Sequence, residues 1–285
     1  ATGYQSEALS NYSFAGGYVS KTNVANDTYS QYPSASNGLG ATAIGYQTEA
    51  KGDGALALGY QSKATAPYSS AVGGYRSEAS AWGASALGDN SKAYAEHSTA
   101  LGYKAESDGT GSVAIGAGTK SYGGYSFASG NNTIARGLSA FSTNQGAVAN
   151  GAQSFSANLY TKANGAVSTA FGNGVYSNSY ACFALGQFND TISMTSATDW
   201  IPTDPILVVG NGADNTSRSN ALTLLKNGML TIAGTLTQSS DLRLKDNILP
   251  LENVLTKIMN INPIYFEFKD KKTHPAGRHI GFTAQ

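Results

Sequence analysis

Aliphatic residues recur at a fixed distance before glycine through the first two-thirds of the chain. The unit Ala-aliphatic-Gly occurs at residues 43–45, 57–59, 71–73, 86–88, 100–102 and 114–116. The glycines of these units are 14 or 15 residues apart, and Gly172 and Gly186 are again 14 apart. Gly17 and Gly45 are separated by 28 residues, which corresponds to two periods. Self-similarity at a fixed period indicates an architecture of stacked repeats.

The length of the period predicts the shape of the repeat. Fourteen residues are too few for a pair of helices, but they suffice for two short strands and two tight turns. Each strand would then pair with the equivalent strand of the next coil, ~4.8 Å away. Glycine at a constant phase supplies a turn geometry that other residues resist. The alternative is a disordered low-complexity linker, but disorder does not require aliphatic residues in phase with glycine.

The composition limits what one such coil can do alone. The 285 residues are 41% hydrophobic, but much of that fraction is Ala, and charged residues make up only 13%. A narrow coil of Ala and Val buries little apolar surface and is only marginally stable by itself. We therefore expect several chains to pack their aliphatic rows around a common axis.

Charge and cysteine content exclude several other classes of protein. The 18 basic and 18 acidic residues cancel, so there is no electrostatic reason to expect nucleic acid or an anionic membrane as a partner. Cys182 is the single cysteine, which excludes an intrachain disulfide framework. No apolar run approaches the ~18 residues of a membrane span. The N-terminus lacks the features of a signal peptide, and we expect the chain to be a fragment of a longer protein.

The segment GSVAIGAGTKSYG at residues 111–123 shows the repeat most clearly. It resembles the head repeat of trimeric autotransporter adhesins of the YadA kind, roughly Ser-x-Ala-x-Gly followed by Ala-Ile-Gly. The resemblance extends over residues 1–189, although the spacing between Gly130 and Gly172 departs from it. It implies a mostly β fold, in which residues 1–189 form a left-handed parallel β-roll solenoid within a homotrimer.

Tyrosine follows the repeat glycine in several coils and predicts a ladder of rings on one face. Its members are Tyr4, Tyr18, Tyr46, Tyr60, Tyr75 and Tyr103. Aromatic rings with a polar tip suit contacts with glycans or proteins, so Tyr46, Tyr60, Tyr75 and Tyr103 are candidate residues of a binding surface. A structural ladder that shields the coil edges is the favoured alternative.

The periodicity stops after Asn189, and residues 190–238 have a different pattern. Short β-rich runs occupy residues 206–209, 221–225 and 229–236, with turn signals between them. We expect a β-rich neck that joins the roll to the C-terminal segment.

The C-terminal segment begins with the charged stretch SSDLRLKDNI at residues 239–248. Taken alone, this stretch indicates a helix N-cap at Ser240 or Asp241. Together with LPLENVLTKIMNINPIYFEFK and HIGFTAQ, it resembles the start of the intramolecular chaperone autoprocessing domain (peptidase S74-like) of phage tail spikes and fibres. The resemblance covers residues 239–285 and implies a domain that helps three chains fold in register and then cleaves itself off. We expect this domain to be truncated at Gln285.

The same resemblance assigns catalytic roles to residues of this segment. It implies Ser240 as nucleophile, Lys245 as general base and Ser239–Ser240 as the scissile bond, with Ser239 as a rival nucleophile. A desolvated lysine can activate a serine hydroxyl in this way. A separation of five residues places two side chains on different faces of either a helix or a strand. The dyad therefore requires a bend between strand and helix, or help from a neighbouring chain.

Elements further along the segment follow from its hydrophobic pattern. Leu251, Val254, Leu255, Ile258 and Met259 form one apolar helical stripe, which predicts a helix that packs against partner chains. Residues 264–268 are typical of a strand. His274 and His279 lack the neighbouring ligands of a metal site, and we expect neither a metal nor a cofactor.

These features favour a receptor-binding fibre tip of a phage tail or a phage-like contractile injection system. The expected partners are two further copies of the chain, a cell-surface glycan or protein, and the rest of the fibre on an extracellular particle; nucleic acid and membrane insertion are not expected. We expect at most a single-turnover serine autoprotease and no turnover activity in the head. One alternative is a trimeric adhesin on a bacterial surface. Another is a glycan-degrading fibre, which requires paired carboxylates in a cleft, whereas Glu7, Glu49 and Glu78 merely follow the repeat.

Overall fold

The computed structural model describes residues 1–8, 12–18, 20–22, 39–191, 195–236, 243, 245–250, 252–269 and 277–282. Its first part alternates long and short strands. The long strands are β2 (Phe14–Tyr18), β4 (Thr42–Tyr46), β6 (Leu56–Tyr60), β8 (Ser70–Tyr75), β10 (Ser85–Leu87), β12 (Thr99–Tyr103), β14 (Val113–Ala117), β16 (Phe127–Asn131), β18 (Phe141–Gln145), β20 (Phe155–Leu159), β22 (Thr169–Asn173) and β24 (Phe183–Gln187). The short strands are β1 (Glu7–Ala8), β3 (Lys21–Thr22), β5 (Glu49–Ala50), β7 (Lys63–Ala64), β9 (Glu78–Ala79), β11 (Lys92–Ala93), β13 (Glu106–Ser107), β15 (Lys120–Ser121), β17 (Ile134–Ala135), β19 (Val148–Ala149), β21 (Lys162–Ala163) and β23 (Tyr176–Ser177).

The strands stack into the predicted parallel β-solenoid. Short strands pair in parallel with one another in a 12-stranded sheet, and long strands do the same within a 15-stranded sheet. Equivalent positions lie side by side, as Ala100 does with Ala114 and Gly102 with Gly116. Each coil therefore contributes one long and one short strand, and the prediction of stacked 14-residue coils is confirmed.

The interior of the roll contains almost only small side chains. Ala114 and Ser121 point inward from the two strands of one coil and are fully buried, and equivalent positions of the other coils hold Ala, Ser or Thr. Many of the hydroxyl groups are paired within the core, as between Ser121 Oγ and Ser126 Oγ at 2.7 Å, whereas the buried hydroxyls of Thr119 and Thr133 have no hydrogen-bond partner. Among the described residues, the largest fully buried apolar side chain is Val175. Small residues are required because the two sheets lie too close together for larger ones.

Near the end of the long strands lies a row of residues whose backbone adopts a positive φ. This conformation explains why glycine recurs at the same position of the coil. Gly116 has φ of +124°, and a Cβ there would collide with the carbonyl oxygen of Gly130 in the next coil. Asn144 and Asn158 occupy the same row with φ of +83° and +81°, because asparagine tolerates this region better than other non-glycine residues. Asn144 Nδ2 donates to Asn158 Oδ1 at 2.7 Å. The roll is thus continuous between Gly130 and Gly172, where the glycine spacing is irregular.

The 28-residue spacing from Gly17 to Gly45 is not two periods. These two glycines lie side by side, because β2 pairs directly with β4. The short strands on either side, β3 and β5, also pair directly. One coil therefore carries an insertion of about one repeat length between β3 and β4, and residues 23–38 lie outside the described residues.

The short strands carry a charged ladder on their outer face. In eight spatially consecutive coils the first strand residue alternates between Glu and Lys. The members of the charged ladder are Glu7, Lys21, Glu49, Lys63, Glu78, Lys92, Glu106 and Lys120. The alternation continues across the insertion after β3, so it follows neighbours in space. Directly opposed residues of opposite charge stabilise a sheet, and like charges destabilise it.

We expect Glu78→Lys to destabilise the roll, because residue 78 pairs with Lys63 on one side and Lys92 on the other. Two attractive pairs become repulsive, at a cost of about 1–2 kcal/mol in the free energy of unfolding. Chemical denaturation at low and high salt measures the loss, which screening should reduce. The matched Glu78→Gln variant should lose less and respond little to salt. An equal, salt-independent loss in both variants would contradict the electrostatic role.

The predicted neck continues the larger sheet. Strand β25 (Pro205–Asn211) pairs in parallel with β24, while β26 (Asn220–Leu225) and β27 (Leu230–Ile232) add antiparallel strands. Arg218 joins the two parts, because its guanidinium donates to the carbonyl oxygens of Gly174 and Asn189 at 2.9 and 3.0 Å. The same group lies 4.1 Å from the ring centroid of Tyr176.

The C-terminal segment contains a short helix and a small antiparallel sheet. Helix α1 (Val254–Met259) lies within the predicted apolar stripe, and β28 (Ile264–Phe266) pairs with β29 (His279–Gly281). The sheet brings together the predicted strand at 264–268 and the HIGFTAQ segment. In the described part of the chain, no helix has the length and apolar character needed to cross a membrane.

Candidate binding surfaces and processing site

The outer side of the long-strand sheet carries an apolar face. We define it as the first and third residues of the long strands, which point outward on either side of the buried second residue. Ile44, Leu101 and Phe171 are 43%, 42% and 47% exposed there. On the adjacent strands β16, β18 and β20, Phe127, Phe141 and Phe155 stack with ring centroids 4.9 and 5.3 Å apart. Apolar rows that continue over many coils are unusual on the surface of a soluble monomer.

The predicted tyrosine ladder forms over five coils. Tyr4, Tyr18, Tyr46, Tyr60 and Tyr75 stack with centroid distances of 4.6 to 5.2 Å. Tyr103 occupies the same row, but the residue at this position in the coil between Tyr75 and Tyr103 is Asp89. The expectation that Tyr103 continues the ladder is therefore wrong. Its ring is covered by Lys104 instead, with Nζ 5.0 Å from the centroid.

Stacking restricts how this ladder can contact a ligand. The faces of Tyr46 and Tyr60 are covered by the adjacent rings, which lie within 19° of parallel. The guanidinium of Arg76 also lies 4.7 Å from the centroid of Tyr75. Ring edges and hydroxyl groups remain for external contacts, whereas the faces that sugars and bases use for stacking are occupied within the ladder. The geometry is that of a structural ladder, and a binding role for these tyrosines stays a prediction.

A polar groove runs along the roll beside the charged ladder. Two open cavities of about 570 and 470 Å³ lie end to end and share Asn90 and Lys92 as lining residues. The groove extends from Gln47 in one coil to Asn132 six coils further along, a distance of about 29 Å at the usual strand spacing. Its two walls are the charged ladder and the adjoining turn, which follows the end of each long strand.

One cation per coil projects along this groove, alternately from its two walls. Lys63, Lys92 and Lys120 belong to the charged ladder, whereas Arg76 and Lys104 come from the turn in the intervening coils. Two carboxylates, Glu78 and Glu106, also line the groove. Five cations and two carboxylates leave an excess of three positive charges.

Most of these cations already have a contact within the roll, as Arg76 Nε donates to Gln61 Oε1 at 2.8 Å and Lys104 lies over the Tyr103 ring, but each keeps further N–H donors for another molecule. Among the ladder side chains that the structure describes, only Lys120 forms an ion pair within the ladder, with Glu106 at 3.1 Å. A hydrogen bond with the Tyr94 hydroxyl raises the pKa of Lys92, and one with Tyr122 raises the pKa of Lys120. Both groups are therefore fully protonated at neutral pH.

Neither the groove nor the alternation of the charged ladder was predicted from the sequence. The position of the ladder was visible in the sequence, because its residues lie four positions after the repeat glycine, as Lys120 does after Gly116, except that Glu78 lies five positions after Gly73. The alternation from Glu49 to Lys120 is visible in the sequence, but its continuation to Lys21 and Glu7 becomes evident only when Lys21 and Glu49 are known to be neighbours.

The predicted catalytic residues are described only in part. Lys245 is exposed and lies in an irregular segment, residues 245–250, between β27 and α1. Ser239 and Ser240 lie outside the described residues. The serine–lysine dyad and the scissile bond therefore stay predictions.

The C-terminal segment leaves large apolar side chains uncovered. On helix α1, Leu255 and Met259 are 72% and 77% exposed, and Tyr265 and Ile280 of the small sheet are similarly open. Such side chains normally find partners in a folded domain. Within this segment, the rings of Phe266, Phe268 and His279 lie 5.2 to 5.6 Å apart.

Metal and thiol chemistry find little support in the part of the chain that is described. No cluster of His, Cys, Asp or Glu residues there is suited to hold a metal ion. Cys182 is buried beneath the last coils, and this burial raises the pKa of its thiol. A buried thiol of this kind acts as a small apolar side chain.

Comparison with known families supports both resemblances. Residues 36–60, 50–75, 79–105 and 107–133 match the YadA head domain repeat. Residues 240–285 match the peptidase S74 family, described as the chaperone of endosialidase. No curated protein matches the chain. The chain thus joins a roll with repeats similar to the YadA head to a C-terminal segment similar to the chaperone of endosialidase.

Proposed function

We propose that this chain is part of a trimeric, receptor-binding fibre of a phage tail or phage-like contractile injection system. The C-terminal segment acts as a chaperone that brings three chains into register and then cleaves itself off before Ser240. The proposal rests chiefly on one combination: a rigid roll with an uncovered apolar face in the same chain as a chaperone-type segment. The fibre is exposed outside the cell, where it contacts a surface glycan or protein.

The apolar face supports the homotrimer. Its aliphatic and aromatic side chains are partly exposed in one chain, and the core beneath them is built mainly of Ala and Ser. Burying a Leu or Phe side chain contributes about 1.5–3 kcal/mol, so association along many coils supplies stability that the narrow core lacks. The exposed apolar side chains of α1 and the small sheet would likewise be buried by association, because a chaperone of this kind acts on three chains.

We expect charge substitutions on the apolar face to prevent trimerisation. The variant with Leu101→Glu and Phe171→Glu places a carboxylate in each of two apolar coils, and three copies would meet near the axis. Light scattering on the purified protein should give a trimer for wild type and mainly monomer for this variant. Tyr125→Glu, on an exposed turn outside the face, is the matched control. A monomeric wild type, or a trimeric double variant, would refute the arrangement.

A trimeric adhesin anchored on a bacterial surface is the second candidate, because the repeats match the YadA head. The two candidates differ in the location of the mature protein. Antibodies against the roll should label purified phage or injection particles if the first is correct. Labelling of intact bacterial cells without such particles would favour the second.

A further inference from the structure

The polar groove has a regular charge pattern that the proposed fibre does not by itself explain. We propose that it binds a linear carboxylated glycan, laid lengthwise along the roll. This inference deepens the proposed function, since it names the class of receptor and the surface that holds it.

The repeat of the groove favours a polymer over a small ligand. Cations follow one another coil by coil, with Lys63, Arg76 and Lys92 in one cavity and Lys104 and Lys120 in the next. Their spacing along the axis is set by the strand spacing of ~4.8 Å. An extended chain with acidic groups at intervals can therefore contact several cations at once, each weakly. Multiple weak contacts add up when the groups are held on one polymer.

The mixed lining favours a glycan over a nucleic acid. Gln47 and Asn90 offer amide groups that donate to and accept from sugar hydroxyls. Gln61 orders this lining, because its Nε2 donates to Gln47 Oε1 and its Oε1 accepts from Arg76 Nε. Glu78 and Glu106 accept hydrogen bonds from hydroxyls but repel the closely spaced phosphates of nucleic acid. Single-stranded nucleic acids also require open aromatic faces for base stacking, and the adjacent tyrosines are stacked on one another.

The location of the groove leaves it accessible in the proposed trimer. The apolar face lies on the outer side of the long-strand sheet, whereas the charged ladder lies on the short-strand sheet. Association through the apolar face therefore does not require the groove to be covered. Three copies would present three parallel grooves around one fibre.

The experiment measures binding of the full chain to immobilised hyaluronan and polysialic acid, two linear carboxylated glycans. Dextran serves as the neutral glycan and single-stranded DNA as the competing polyanion. The test variant combines Arg76→Gln, Lys92→Gln and Lys104→Gln. The control combines Arg136→Gln and Lys162→Gln, whose side chains lie outside the groove. Light scattering on every sample records the oligomeric state.

We expect wild type to bind at least one carboxylated glycan but not dextran, with affinity that falls as salt is raised. The groove variant should bind about tenfold or more weakly, the equivalent of ~1.4 kcal/mol, while the control binds like wild type. Equal binding of groove variant and wild type, tighter binding to DNA than to either glycan, or no glycan binding would overturn the proposal. A trimer that fails to bind glycan refutes this inference alone, whereas a monomeric wild type refutes the proposed assembly.

Discussion

Ser240→Ala and Lys245→Ala should each leave the full-length protein uncleaved, whereas wild type loses everything from Ser240 onward. Without Ser240 there is no hydroxyl to attack the Ser239–Ser240 bond. Without Lys245 the hydroxyl keeps its proton and remains a weak nucleophile. Intact-mass measurement of the purified proteins distinguishes the two states directly, and the expected effect is all or none.

Two further variants separate the dyad from its rivals. Lys245→Arg keeps the positive charge but supplies a group that does not deprotonate, so it should also remain uncleaved. Ser239→Ala should still be cut, because the rival hydroxyl does not take part. If Ser240→Ala is still cleaved and Ser239→Ala is not, Ser239 is the nucleophile. An uncleaved wild type would contradict the dyad. It would favour the alternative, in which Ser240 or Asp241 caps a helix and the chaperone segment stays attached to the fibre.

Gly116→Ala should strongly destabilise the roll, although it adds only one methyl group. The added Cβ would collide with the carbonyl oxygen of Gly130, and φ of +124° is strained for alanine. Backbone strain and overpacking each cost about 1–3 kcal/mol, so we expect a loss of about 3–5 kcal/mol in the free energy of unfolding. Denaturation followed by circular dichroism measures it.

Gly73→Ala is the matched control for this collision. Gly73 has φ of +77° but faces open space at the irregularity in β8, with no atom within 4 Å of an added Cβ. Only the backbone preference is then lost, about 1–2 kcal/mol. Equal losses in the two variants would show that contact between coils does not restrict the glycine row.

Much of the roll follows from local features of the sequence. The phase of glycine and the small residues at Ala114 and Ser121 require two sheets in close contact, and the structure has them. The replacement of glycine by Asn144 and Asn158 was not anticipated, because a search for glycine alone misses other residues that tolerate a left-handed backbone. The coil there is nevertheless intact.

Features that depend on the order of the coils were harder to predict. A separation of 28 residues fits two coils or one coil with an insertion equally well, and only pairing of Gly17 with Gly45 decides between them. Tyr103 has the right phase for the ladder, but Asp89 separates it from Tyr75. The catalytic pair Ser240 and Lys245 also stays a prediction from the sequence, since Ser240 lies outside the described residues.

The 14-residue coil, its interior of small side chains and the similarity of the two ends of the chain to known families could be read from the sequence, because these depend on residue type at a local phase. The folded chain was needed to show which coils are neighbours, where the tyrosine stack ends and how cations from two walls form one groove. These features need the fold because hydrogen bonds between coils join residues that are distant in sequence. An insertion shifts numbering without shifting these neighbours, so surface patterns such as the pairing of Lys21 with Glu49 emerge only from the folded chain.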